Sequence, residues 1–307
     1  MTVLLVNDFA AGQEIQHPRG AYAAVNGARI WYEIEGEGEP LLLIHGGPGS
    51  SHLNFHPYFS ALADQHRVIY FDLFGRGKSD RAKSPTEYTF ERDVADVEGL
   101  RKALGLETVN LLGFSYGGLV AQAYALEYPA HVKKLILVST LYSGEMWQAK
   151  NENYIYEARN QFPETWEKIE RLRAQGFRER SSELQAVDDI PAYELVFFYN
   201  PANAGKLRRD ALSLNSEVTY AIAGDDADYV LGGGVARLDF RDRLKELKMP
   251  ILIIAGRFDR LFPPKTSLQF KRYVPQAEFV MFEKSGHYPQ IEETEKMFGV
   301  IKGFLHK

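Results

Sequence analysis

The chain has 307 residues, 45% of them hydrophobic and 25% charged, with a formal net charge of −5 and no cysteine. This is a globular composition, long enough for one large core domain carrying an inserted subdomain. Mild acidity without a long basic run disfavours nucleic acid and anionic membrane as partners; the missing thiols exclude disulfides, a thiolate nucleophile and cysteine-bound metal, and fit a reducing, cytoplasmic compartment.

The opening stretch "MTVLLVNDFAAGQEIQHPRG" has no basic region ahead of its short apolar patch and reads poorly as a secretory leader. No apolar run approaches the roughly 18–20 residues that span a bilayer. Asn26-Gly27 separates two alternating runs, the pattern of a β-hairpin closed by a type I′ turn. "LLLIHGGPG" predicts a buried strand feeding a glycine-rich loop, and "RVIYFDLFGRGKSD" repeats that design, with its strand at 67–71. "FERDVADVEGLRKALGL" carries apolar residues at helical spacing and stops at Gly105. "TVNLLG" predicts the next strand, residues 116–128 a helix and "VKKLILVS" a further strand. Residues 141–236 lack a strand signal, are rich in aromatics and mixed charge, and read as helices inserted in the core, with Gly232-Gly233-Gly234 as a flexible return. "MPILIIAG" and "AEFVMFE" then predict strands, and residues 293–305 a closing helix. Strands alternating with helices predict a mostly parallel sheet covered on both faces.

Chemistry enters at "NLLGFSYGG", where Ser115 stands between two glycines as a strand turns straight into a helix. A serine there sits on a sharp, strained turn, where side chains on the flanking residues would clash. The helix N-terminus adds free N–H groups and partial positive charge. The hydroxyl remains a poor nucleophile until a base takes its proton. Asp259 in "ILIIAGRFDRLFPP" and His287 in "FVMFEKSGHYP" each follow a strand end, in the order Ser…Asp…His. That order makes His287 the expected base and Asp259 the group that orients it. Loops at the C-terminal ends of parallel strands are where open α/β sheets bind ligands. The "IHGGPGSS" loop leaves another strand end, and the N–H groups of Gly47 and Tyr116 are the expected oxyanion donors. His45 is expected to brace its loop, and His52 and His56 to be structural. No His/Asp/Glu group has metal-ligand spacing, so neither metal nor cofactor is expected. "GRGKSD" lacks the spacing of a phosphate-binding loop.

On these residues the chain resembles an α/β-hydrolase. "HGGPG", "FDLFGRGKSD", "GFSYGG", "GRFDRLFPP" and "SGHYP" together look like the proline iminopeptidase branch, peptidase family S33, over about 25–140 and 238–307. The resemblance implies an α/β-hydrolase core at 1–140 and 237–307 and a helical cap at 141–236. It implies release of N-terminal proline or small apolar residues from short peptides, through a Ser-His-Asp acyl-enzyme. A carboxylesterase acting on small esters is the alternative on the same frame, and a non-catalytic ligand-binding protein is a third reading. An aminopeptidase of this kind holds the substrate ammonium with carboxylates near its pocket. Asp228 falls where such an acid is needed, with Glu145, Glu194 and Glu217 as further candidates and Trp147 among the aromatics suited to a small apolar group. Arg260 follows Asp259 where some relatives carry an acid, and a cation there would oppose an ammonium.

Overall fold

A computed structural model of the chain describes residues 20–307, so the stretch weighed as a leader lies outside the described residues. Strand β1 (Ala21–Val25) and β2 (Ala28–Glu35) form the expected hairpin, with Asn26 at φ 47° and Gly27 at φ 82°. Positive φ at both turn residues is what a type I′ turn requires. The strands β3 (Glu39–Ile44), β4 (His66–Phe71), β5 (Val109–Phe114), β6 (Val132–Val138), β7 (Ile251–Gly256) and β8 (Glu278–Phe282) complete one sheet of order β1-β2-β4-β3-β5-β6-β7-β8. The β1/β2 and β2/β4 pairs are antiparallel and the other pairs parallel.

Every residue of β5 and β7 is buried, which explains why β7 is an unbroken apolar run and β5 one broken only by Asn110, rather than alternating strands. Alternate residues still serve different faces. Leu42 and Ile44 join an apolar cluster with Val94, Val97 and Leu100 of helix α1 (Phe90–Ala103) and Leu119 of α2 (Tyr116–Glu127). Leu41 and Leu43 pack on the opposite face with Phe55, Phe59 and the C-terminal helix residues Phe298 and Ile301. Thr89 caps α1 by accepting the Arg92 N–H, Glu91 and Asp93 stand in its first turn, and Gly105 at φ 65° follows its end. The first two complement the helix dipole, and the last is the residue type that tolerates a left-handed stop.

Between β6 and β7 the described residues contain no strand of the sheet. They form α3 (Gly144–Gln161), α4 (Pro163–Ala174), α5 (Ser182–Gln185), a turn of π-helix at Tyr193–Phe197 and α6 (Ser216–Ala223), with 3-10 turns beside them. Tyr154 and Trp166 of this segment pack on Tyr229 within the first apolar cluster. The triple glycine is a packed turn, not a loose return: Gly232 N–H donates to Ala223 O at 2.7 Å, and a Cβ on Gly233 would lie 2.1 Å from the Ile222 carbonyl. The chain closes through α7 (Pro264–Tyr273), α8 (Pro289–Glu292) and α9 (Thr294–His306). Among the described residues no helix is long and apolar enough to cross a membrane.

Candidate active site

Ser115 takes φ 54° and ψ −121°, a conformation non-glycine residues rarely adopt. Three hydrogen bonds hold it: Ser115 N–H to Val138 O at 2.9 Å, and Gly118 N–H and Thr140 Oγ1–H to Ser115 O at 2.9 and 2.6 Å. The glycines explain how helix α2 comes so close beneath. A Cβ on Gly113 would lie 2.4 Å from Gly117 O, and one on Gly117 2.2 Å from Ile44 O. Tyr116 is the first residue of α2, so its N–H has no acceptor within the helix.

His287 Nδ1 lies 2.8 Å from Asp259 Oδ2, with the two residues 1% and 2% exposed. A carboxylate only accepts, so Nδ1 carries the hydrogen and Nε2 is the nitrogen left to take a proton. Asp259 Oδ1 accepts the N–H groups of Leu261 and Phe262 at 3.0 and 2.9 Å, which fixes the carboxylate's direction. His287 N–H donates to Phe197 O at 2.7 Å, and the rings of Phe114, Phe197 and Phe262 surround the imidazole at 5.1–5.5 Å.

The "HGGPG" loop lies against this elbow. A Cβ on Gly46 would sit 2.9 Å from Ser115 Cβ, and Gly47 takes φ 55°. His45 braces the loop as expected. Its Nε2 accepts the Leu73 N–H at 3.3 Å, which leaves Nδ1–H to donate to Gly46 O at 3.1 Å. Burial pushes its imidazole down to about 4, so it stays neutral and engaged.

Ser115, Tyr116, Gly47 and His287 line one cavity of about 260 Å³, together with Trp147, Lys150, Glu179 and Asp228 from the inserted segment. Asp228 therefore reaches the cavity, but it is exposed and already paired: Lys150 Nζ lies 2.9 Å from its Oδ1. Glu179, which the sequence reading missed, accepts the Asp228 N–H at 2.7 Å. Burial, reinforced by the neighbouring Asp228 charge, raises its carboxyl to about 8. Three other candidates are corrected by position. Glu145 points out to solvent and pairs with Arg241 at 2.8 Å, because it lies on the outer side of α3, away from the cavity that Trp147 of the same turn lines. Glu194 and Glu217 are exposed and do not line it. Arg260 does not line it either. Its guanidinium donates to Leu195 O at 2.7 Å, tying the Asp259 loop to the π-helical turn.

The fold also gathers Glu33, His52 and His56, whose ligand atoms lie within 4.8 Å of one another, a grouping that sequence spacing does not reveal. Asp72 Oδ1 stands 2.8 Å from His52 Nδ1, with Glu33 Oε1 3.4 Å from Nε2. Burial opposes the charge, yet the two carboxylates outweigh it and lift His52 to about 9. His52 thus sits inside an ion-pair network with Glu33 and Asp72, and Lys78 brings a further positive charge 3.7 Å from Glu33.

Comparison with known proteins agrees with this architecture. Residues 39–294 match the family model of the alpha/beta hydrolase fold. A curated proline iminopeptidase of Heyndrickxia coagulans is 31% identical over 285 residues, covering 92% of this chain and 96% of that protein. The solved proline iminopeptidase of Mycobacterium smegmatis superposes with a TM-score of 0.74 at 23% identity, over 94% of this chain and 98% of that one. An esterase from Exiguobacterium antarcticum gives 0.69 at 22% identity, over 94% and 100%. At such identities the two structures speak for the fold alone.

Proposed function

This chain belongs to the α/β-hydrolase family, alongside the curated proline iminopeptidases, and is a hydrolase of the serine type; on that premise we propose that it releases N-terminal proline or small apolar residues from short peptides through an acyl-enzyme on Ser115. Ser115 Oγ attacks the acyl carbonyl while His287 Nε2 takes its proton. His287 then returns that proton to the departing amine, and a water repeats the sequence to free the acid. Asp259 keeps the imidazole in the tautomer that leaves Nε2 open and stabilises the imidazolium. The amides of Gly47 and Tyr116 receive the charge that develops on the carbonyl oxygen.

One observation carries the peptidase reading: the cavity that contains Ser115 and His287 also contains two carboxyl groups, Glu179 and Asp228. A free α-ammonium needs such partners in a site that Trp147, Phe197 and Leu141 also line. The second reading, a carboxylesterase of small esters, is favoured by Lys150. Its pairing with Asp228, together with a Glu179 that keeps its proton below about pH 8, leaves little free negative charge for an ammonium.

Paired rates on a proline arylamide and a short-chain aryl ester separate the two. The peptidase reading expects cleavage of both, with Asp228→Asn and Glu179→Gln raising KM for the arylamide and leaving the ester unchanged. Cleavage of the ester alone transfers the assignment to the esterase. Ser115→Ala is expected to lower kcat on either substrate by several orders of magnitude, and a variant with wild-type kcat refutes both.

A further inference from the structure

The glycine-rich stretch 46–49 that carries one expected oxyanion donor is soft by composition, and something must hold it. Its Pro48 carbonyl accepts Arg76 Nε–H at 2.6 Å. The same guanidinium donates to Phe74 O at 2.6 Å and makes a two-pronged pair with Asp93, at 2.7 Å to Oδ1 and 2.6 Å to Oδ2. Asp93 Oδ2 also accepts the hydroxyl of Tyr116, at 2.6 Å. Arg76 and Asp93 are both fully buried, and Tyr116 is 2% exposed. Four of the five guanidinium N–H groups are thus directed at acceptors in fixed positions.

We propose that Arg76 and Asp93 form a positioning pair for the oxyanion hole. Arg76 holds the loop that presents the Gly47 amide, Asp93 holds the side chain of the residue that presents the Tyr116 amide, and the ion pair sets the distance between them. The proposal rests on the acyl-transfer reading of Ser115. Two physical arguments favour it over a role in stability alone. A buried ion pair is a poor stabiliser, since desolvating both charges cancels most of their attraction and a well-packed apolar pair often serves as well. An oxyanion hole, in contrast, works only when its donors are set before charge develops, and a displacement of about 1 Å can cost a hundredfold in rate. The rigid, forked guanidinium reaches a carbonyl and a carboxylate at once, which a flexible lysine ammonium does not reproduce.

The test compares the full chain with Tyr116→Phe, Arg76→Lys and the double variant Arg76→Met with Asp93→Leu. Tyr116→Phe removes one hydroxyl and keeps both backbone donors and the ion pair. The double variant leaves no unpaired charge in the interior. For each, kcat and KM on a short-chain aryl ester, urea stability, and inhibition by an arylboronic acid that forms a tetrahedral adduct are measured. The expected result is kcat down roughly 10- to 100-fold, KM within about twofold and boronate affinity down by the same factor as kcat, in variants that remain folded. Arg76→Lys should recover less than half of the loss on a logarithmic scale. Tyr116→Phe folds whether or not the others do, and wild-type kcat with wild-type boronate affinity in that variant overturns the positioning role. A lower kcat with unchanged boronate affinity overturns it too. If the boronate fails to inhibit the wild type, the acyl-transfer reading falls first and takes the proposal with it.

Discussion

Glu179→Gln tests the electrostatics of the cavity without any substrate. Glu179 is a half-buried carboxyl beside the carboxylate of Asp228, and burial with that neighbour raises it from 4.5 to about 8. Across that window the folded chain keeps a proton that the unfolded chain has released, so stability falls as pH rises and the loss is complete above about 8. Each pH unit is worth about 1.4 kcal/mol, which sets a ceiling of about 5 kcal/mol. Partial exposure and the sharing of the effect with Asp228 reduce the expected value to about 2 kcal/mol. Glutamine has the shape of the protonated acid, and its carbonyl can still accept the Asp228 N–H that now lies 2.7 Å from Oε2. The variant should therefore match wild type in urea denaturation at pH 5 and gain about 2 kcal/mol on it by pH 9. A difference that stays constant from pH 5 to 9, or a variant that loses ground as pH rises, refutes the buried-acid account.

His52, lifted to about 9, stabilises the fold fully below its unfolded value of 6.5, and that contribution is lost as pH rises through 9. His52→Gln should flatten the alkaline limb of the stability profile, and a two-dimensional NMR titration should find the imidazole still protonated at pH 8. Gly117→Ala places a Cβ 2.2 Å from a backbone carbonyl that cannot yield. A loss of at least 1–3 kcal/mol in chemical denaturation is expected, together with reduced activity, and wild-type stability would contradict the close packing of α2 beneath the elbow. Arg260→Glu should leave the ratio of amine to ester KM unchanged, because the guanidinium serves Leu195 O and does not line the cavity. A selective gain for the free amine would return Arg260 to the substrate.

The sequence by itself determined what depends on short-range pattern. Asn26-Gly27 specifies its turn by backbone sterics, and the apolar runs of β7 and, Asn110 apart, of β5 announce strands covered on both faces. Glycines at 113 and 117 mark the elbow, because only a missing Cβ permits the helix to approach. Ser115, Asp259 and His287 were legible together because parallel strands deliver their C-terminal ends to one edge, so three loops distant in sequence share one neighbourhood. The tertiary structure alone decided which side chains of the inserted segment face that edge. Glu179 meets Asp228 across 49 positions and Lys150 meets it across 78, and no local period encodes either contact. Glu145 and Lys150 lie on the same helix, yet the helix's orientation sends the first to Arg241 and the second to the cavity. Arg76, which the sequence presents as one more basic residue in a polar turn, becomes fully buried because Pro48 and Asp93 reach it from separate parts of the chain and join the neighbouring Phe74 carbonyl. Burial and partner are properties of the packed chain, and they decide the charge, direction and use of each polar group. A sequence pattern nominates such groups, but only packing assigns them a place.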